Sequence, residues 1–323
     1  MIAMAKYRNN LPQLGEQLFL TDGGIETTLI FLEGIELPYF AAFDLLRTNN
    51  GRKTLHDYYA RYAAIARQRG LGFIFESATW RASPDWAAKL GMSQAELDGL
   101  NRSAIDLLKP LRVEFETARS PMVISGCIGP RGDGYKPDAR MTADEAAAYH
   151  SAAIRVYAAA DADMVTAITM TYADEAVGVA QAAAVAGMPV AISFTVETDG
   201  RLPSGQALGE AIEAVDAATH NGPAYYMVNC AHPTHFVDAL VTNAPWLSRI
   251  KGVRANASKR SHAELDAAPD LDAGNPVELG ADYAALRRQL GRRLNVLGGC
   301  CGTDHRHIEA IAESCMPELA KAS

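Results

Sequence analysis

The sequence predicts an α/β fold: a (β/α)8 TIM barrel, single domain, over residues 1–323. Three features lead there. Eight short apolar runs alternate strictly with eight helical segments, a pattern that makes parallel βαβ units with right-handed crossovers. Eight such units in 323 residues match the size of a closed barrel. Polar residues and glycines gather just after the apolar runs, where such barrels build their active sites. A doubly wound open sheet is the alternative, because strand count alone does not close a barrel. No linker, low-complexity segment or internal repeat divides the chain.

In order, residues 18–24, LFLTDGG, read as a first strand closing in Asp22, Gly23 and Gly24. A long connection holding Pro38 and Phe40 leads to a helix over residues 51–68, with Leu55, Tyr58, Tyr62 and Ile65 on one face. Residues 71–75 form the second strand and run into Glu76-Ser77-Ala78-Thr79-Trp80. Ser93 and Glu96 make a capping box for a helix that carries Leu97, Leu100, Ile105 and Leu108 and is expected to stop before Pro110. Strand three, 121–125, closes in Gly126-Cys127-Ile128-Gly129-Pro130, and a glycine-rich loop with Asp133 and Tyr135 follows. Thr142 and Glu145 cap a helix to Ala160. Strand four is 164–168, with its helix at 174–186; strand five is 189–195, ending near Glu197. After a helix at 206–219, strand six, 224–228, ends in Asn229-Cys230-Ala231-His232-Pro233. A short helix at 235–241 precedes strand seven, 250–254, which ends at Ala255-Asn256. A polar loop runs to about Leu279, then a helix at 282–290 and strand eight, 294–297, followed by Gly298-Gly299-Cys300-Cys301-Gly302-Thr303. Residues 304–314 close the chain as a helix.

Composition narrows the function classes. The chain is 49% hydrophobic and 21% charged, ample for a core. A formal net charge of −8 argues against nucleic-acid and anionic-membrane partners. No apolar run has the length of a membrane span, and the N-terminus has no apolar signal region, so a cytoplasmic location is expected. Nothing in the residues specifies an oligomeric state. Five cysteines, an odd number, favour free thiols or a metal site over a disulfide framework.

Cys230, Cys300 and Cys301 sit just past the ends of two predicted strands, so their thiols can converge on one metal ion. Soft thiolates select zinc, and three protein ligands leave a fourth position for substrate. A vicinal disulfide between Cys300 and Cys301 is the competing reading, disfavoured by ring strain and a reducing compartment. Cys127 and Cys315 read as core residues. His232, His305 and His307 are alternative ligands, read here as solvated or capping groups. Asp22, Gly23, Gly24, Glu76, Thr79, Trp80, Glu197, Asn229 and Asn256 lie at or beyond strand ends and are the candidate substrate-binding residues. Asp22 also has a plain role satisfying turn amides, and Glu76 and Glu197 as structural ion pairs. Of the aromatics Trp80, Tyr39, Phe40, Tyr135 and Tyr172, one or two are expected to line a pocket for a cation. There is no GxGxxG, P-loop or HExxH motif.

Set in order at strand ends, these pieces resemble the homocysteine S-methyltransferase family. The resemblance runs from Thr21 to about Ile311 through Asp22-Gly23-Gly24, residues 78–83 (ATWRAS), Gly129-Pro130, residues 192–195 (ISFT), Asn229-Cys230 with Pro233, and residues 298–303 (GGCCGT). It implies a barrel with zinc held by Cys230, Cys300 and Cys301. It implies transfer of a methyl group from a cationic donor (S-methylmethionine, S-adenosylmethionine or betaine) to homocysteine, giving methionine. The chemistry agrees: the thiolate is the nucleophile, and a coordinated thiol is deprotonated outright. Many members carry Glu-Thr at the end of strand four, where the glutamate helps hold the acceptor's ammonium; here Ile168-Thr169 stands there. Asp22 remains, with Glu197 or Glu76 as substitutes, and a different small thiol is the alternative acceptor. The chain ends soon after the barrel, so no cobalamin module is expected. A zinc-dependent hydrolase on the same barrel would activate water, but three thiolates weaken the Lewis acidity it needs. A structural zinc site would need a fourth protein ligand such as His232.

Overall fold

The computed structural model describes residues 5–137 and 140–316. Eight parallel strands close in sequence order: β1 Phe19–Leu20, β2 Gly72–Glu76, β3 Met122–Ile128, β4 Met164–Met170, β5 Val190–Thr195, β6 Tyr225–Asn229, β7 Ile250–Ala255 and β8 Val296–Gly299. β1 pairs with β8, Phe19 beside Val296 and Leu20 beside Leu297, so the sheet has no edge and the open-sheet alternative falls away.

Side chains alternate across each strand, and this decides what reaches the barrel interior. Phe19, Ile74, Val123, Met164, Ala191, Tyr225, Met227 and Val296 pack inside the barrel. Two residues further along their strands, Glu76, Ser125 and Thr166 point inward as well, and Arg254 of β7 pairs in register with Gly298 on the same face. The barrel therefore has an apolar floor and a polar, charged layer above it. The outward faces, including Phe73, Phe75, Ile124 and Val165, pack against the helices.

Both capping boxes form, at Ser93–Glu96 and Thr142–Glu145. Several boundaries differ from the sequence expectation. The helix Gln94–Phe115 runs through Pro110, because its apolar stripe continues at the fully buried Leu111. Pro110 itself faces solvent, where water can satisfy the carbonyl that lost its donor. The helix Pro276–Leu290 starts six residues before Asp282, with Asn275 accepting from the Val277 amide and proline at the first turn. The polar loop before it holds a short helix, His262–Asp266. After β6 the chain forms Pro233–Phe236 and a 3-10 turn, Asp238–Leu240, in place of one helix at 235–241. β8 is shifted two residues along, so Gly298 and Gly299 belong to the strand itself. Among the described residues no helix is long and apolar enough to cross a membrane.

The ends of β1 and β8 touch through glycine. A Cβ on Gly24 would lie 2.4 Å from the carbonyl oxygen of Cys300, and one on Gly298 would lie 1.8 Å from Thr21 Oγ1. By contrast, Gly99 in the helix Gln94–Phe115 faces open space. Gly24→Ala should lower stability by about 1–3 kcal/mol through overpacking against backbone. Gly99→Ala should raise it by about 0.5–1 kcal/mol. Thermal melts of the two variants check this; a neutral Gly24→Ala would mean the strand ends are not closely packed.

Candidate metal centre and its cavity

The chain after β8 makes a turn in which the Thr303 amide donates to the Cys300 carbonyl (3.1 Å) and Gly302 takes φ +78°, the left-handed conformation needed at the third position of a type II turn. This turn presents both cysteines to the barrel mouth. Cys230, just past β6, also has a positive φ of 57°, unusual for a residue with a Cβ. Its backbone is held from three sides. The Cys230 amide donates to Arg254 O (3.1 Å), and its carbonyl accepts from Asn256 Nδ2 (2.9 Å) and His262 Nε2. Such over-determination is what lets a strained conformer persist.

The three thiols then meet. Cys230 Sγ lies 3.0 Å from Cys300 Sγ and 3.6 Å from Cys301 Sγ, and all three sulfurs fall within 4.8 Å of one another. A tetrahedral zinc with its usual bond length would place its sulfurs about 3.8 Å apart. The cluster is thus within a small side-chain adjustment of holding that ion, and an all-thiolate donor set suits it. Cys300 is the most acidic of the three, because the Cys230 and Cys301 thiols hydrogen-bond to its sulfur and Arg254 lies nearby. Donation to Cys300 pushes the Cys230 thiol up. Tyr135, from the loop after β3, sets its hydroxyl 3.1 Å from Cys230 Sγ and stacks its ring on His262 with centroids 4.0 Å apart. Burial and the neighbouring thiols raise the Tyr135 phenol well above its ordinary value, so it stays a donor.

A cavity of about 570 Å³, its mouth included, opens in front of the sulfurs. Asp22, Gly23, Gly24, Glu76 and Trp80 of the sequence-derived set line it. The other four do not. Thr79 donates to Cys127 O (2.7 Å) and ties β2 to β3. Asn229 binds both the amide and the hydroxyl of Thr169, itself at φ +68°. Asn256 braces Cys230. Glu197 pairs with His262 Nδ1 (3.2 Å) outside the cavity. None of His232, His305 and His307 joins the thiols. His232 caps the helix Pro233–Phe236, and burial lowers its pKa to about 4. His307 bridges Asp304 and Ala273 O.

Asp22 forms a buried ion pair with Arg254 Nη2 (2.7 Å) and accepts from Tyr58 Oη (3.1 Å). Burial raises the Asp22 pKa against the pull of these partners. Burial likewise opposes charge on Arg254, but Asp22 and then Glu76 outweigh it and hold the guanidinium protonated. The Gly24 amide donates to Thr303 O (3.0 Å) and is not free for a ligand. Trp80 donates through Nε1 to Ile168 O (3.3 Å), and the Arg81 guanidinium covers its ring at 4.5 Å.

Sequence reasoning passed over two cavity groups, Glu26 and Arg254, and named Tyr135 only among the aromatics that could line a pocket. Glu26 sits two residues beyond Gly24; burial pushes it up to about 7, with Cys300 and Asp22 adding to the rise. Arg254 was legible only as a strand residue, and a cation within an apolar run of a barrel strand is the signal that would have found it.

Comparison with known proteins follows the same lines. A family model described as homocysteine S-methyltransferase matches residues 19–315. Rat betaine–homocysteine S-methyltransferase 1 is 28% identical over 182 residues, covering 51% of this chain and 42% of that protein, so the matched region is less than half the relative's length. Among solved structures, the Escherichia coli homocysteine methyltransferase MmuM in its oxidised form has 19% identity, a TM-score of 0.74 and coverage of 94% of this chain and 97% of its own. The metallated form of the same protein gives 18% identity, a TM-score of 0.72 and coverage of 93% and 96%. At these identities the two structures establish the shared barrel.

Glu76 is pushed up to about 7 by burial, against Arg254 and the Ser125 and Thr166 hydroxyls. An unfolded glutamate titrates near 4.3, so the folded chain binds this proton more tightly across roughly pH 4.3–7. Its contribution to stability is therefore lost as pH rises through that window, by up to about 1.4 kcal/mol per pH unit. Glu76→Gln removes the effect. Relative to wild type, the variant's melting temperature should climb between pH 5 and pH 8; a constant difference would show that Glu76 does not titrate there.

Proposed function

The chain belongs to the homocysteine S-methyltransferase family, and from that premise we propose that it is a zinc-dependent S-methyltransferase. It moves a methyl group from a cationic donor to the thiol of homocysteine, giving methionine. The observation that carries this reading is the convergence of the Cys230, Cys300 and Cys301 thiols on one side of an open cavity. The metallated form of the E. coli relative supports a metal at such a site.

Cys230, Cys300 and Cys301 would hold the zinc, which when bound supplies a thiolate form of the acceptor at neutral pH. The chain's own residues do the rest. Asn256, His262 and the Arg254 carbonyl fix the backbone of Cys230. Tyr135 closes the cavity over the sulfurs and helps exclude water. The acceptor sulfur attacks the donor methyl in line: an S–CH3 bond forms as the bond from methyl to the positive sulfur or nitrogen breaks, and the donor leaves neutral. Because charge is consumed in this step, no residue need move a proton, and holding the two reactants in line is the main task. S-methylmethionine, S-adenosylmethionine and betaine all present a methyl on a cationic centre, and Trp80 is the aromatic on the cavity wall suited to such a cation. Its edge is bonded to Ile168 O and Arg81 covers one face of the ring, so a donor cation would take the opposite face.

Ile168 supports a second reading, a different small thiol as acceptor, since an apolar side chain lines the cavity where many members carry a carboxylate.

Purified protein should contain about one zinc per chain. Cys230→Ser, Cys300→Ser and Cys301→Ser should each lose metal and methyl transfer, while Cys127→Ser and Cys315→Ser keep the metal. Retention of zinc and activity by Cys301→Ser would break the three-thiolate assignment. With homocysteine fixed, a panel of the three donors read out as methionine identifies the donor. Trp80→Leu should raise that donor's KM more than the acceptor's; equal effects would remove Trp80 from the donor side.

A further inference from the structure

Glu76 and Arg254 line the cavity from inside the barrel, are nine-tenths or more buried, and form no ion pair with each other. Each leaves one polar atom without a hydrogen-bond partner: Glu76 Oε2 and Arg254 Nη1. The remaining guanidinium nitrogens of Arg254 are engaged, Nη2 with Asp22 Oδ1 (2.7 Å) and Nε with Gly299 O (3.1 Å). A buried carboxylate oxygen and a buried guanidinium N–H left open in one cavity are costly unless something supplies both a donor and an acceptor.

The rest of the lining narrows what that something is. The sulfur cluster forms one wall. Ile25, Ala78 and Ile168 give apolar surface and no charge. Asp22 is paired with Arg254 and accepts a hydrogen bond from Tyr58. Glu26 is enclosed enough for burial to raise its carboxyl, but part of its surface is exposed and neither of its oxygens is a buried atom lacking a partner. A ligand with a thiol at one end, a short apolar stem and paired positive and negative groups at the other would satisfy every wall.

We propose that Glu76 and Arg254 form the receptor for the acceptor's amino-acid head group, Glu76 Oε2 taking the ammonium and Arg254 Nη1 the carboxylate. This rests on the reading of homocysteine as acceptor and specifies how it is recognised. Ile168 then contacts the methylene stem, and discrimination lies in the two inward-pointing side chains of β2 and β7. The guanidinium meets a carboxylate with directional N–H donors, and the opposed charges orient the zwitterion so that its thiol points to the cysteines.

The zinc-loaded enzyme is tested with three acceptors: homocysteine, 4-mercaptobutanoate (no ammonium) and 3-mercaptopropylamine (no carboxylate). Wild type should prefer homocysteine over both. Glu76→Gln should raise KM for homocysteine and 3-mercaptopropylamine by about tenfold or more and leave 4-mercaptobutanoate nearly unchanged. Arg254→Lys, which retains a cation for Asp22, should do the reverse, weakening homocysteine and 4-mercaptobutanoate. Zinc content should not change in either. Calorimetric titration with homocysteine in the absence of donor should reproduce the KM changes. An equal rise for all three acceptors means that Glu76 and Arg254 only support the fold, with water bridging them, and overturns the receptor. So does a wild-type preference that survives in both variants; Glu26→Gln then locates the ammonium site. If wild type uses the two truncated thiols as well as homocysteine, the acceptor reading itself fails. Should Glu76→Gln not fold, Glu76→Asp and Arg254→Lys carry the same comparison.

Discussion

The close approach of two strand ends governs the functional face. β1 and β8 close the barrel, and their C-terminal ends meet closely because Gly24, against the Cys300 carbonyl, and Gly298, against the Thr21 side chain, carry no side chain of their own. Without that contact the Cys300 carbonyl could not lie beside Gly24, and the turn at Cys300–Thr303 would not be anchored by the Gly302 amide on Thr27 Oγ1 (3.1 Å). Two of the three thiols owe their position to it. The third, Cys230, is brought in by a strained backbone that β7 and the helix His262–Asp266 hold in place. Thiols positioned by rigid strand ends are better preorganised than thiols on a free loop.

A second constraint is charge. Three thiols, Asp22, Glu26 and Glu76 crowd one cavity, and Arg254 is the guanidinium set among them. It neutralises Asp22 directly and favours ionisation of Cys300 through space. Burial works the other way on the carboxyls, raising Glu26 and Glu76 to about 7, so that each is only partly ionised near neutral pH. A site of this kind is suited to a positively charged reactant and to a nucleophile that must stay ionised.

The family resemblance and the physical reading meet at the cysteines and part at the substrate end. Asp22, expected as a free ammonium partner, is bound to Arg254. Glu197, expected as its substitute, pairs with His262 outside the cavity. Thr79 and Asn256 hold the backbone of the cavity wall together, and Asn229 ties down Thr169 while its Nδ2 reaches Cys300 Sγ (4.0 Å). Strand-end position identified these polar residues as belonging to the site's framework, but it did not separate those that face the ligand from those that brace the wall.

The alternation of apolar runs with helical segments determined the barrel, since parallel strands joined by helices have few other ways to bury both faces. Local chemistry determined the capping boxes and the vicinal cysteines after glycine, because capping and tight turns depend on residues a few positions apart. Helix ends were less legible: Pro110 looked like a stop, and burial of Leu111 one residue later overrode it. What only the tertiary structure decided is which side chains share a space. Glu76 and Arg254 lie 178 positions apart, and only closure of β1 on β8 and the period-two alternation of each strand turn both into the same cavity. Tyr135 reaches Cys230 from a loop whose path no local rule specifies. Side-chain direction follows from register and ring closure, which are properties of all eight strands together and of no single stretch of sequence.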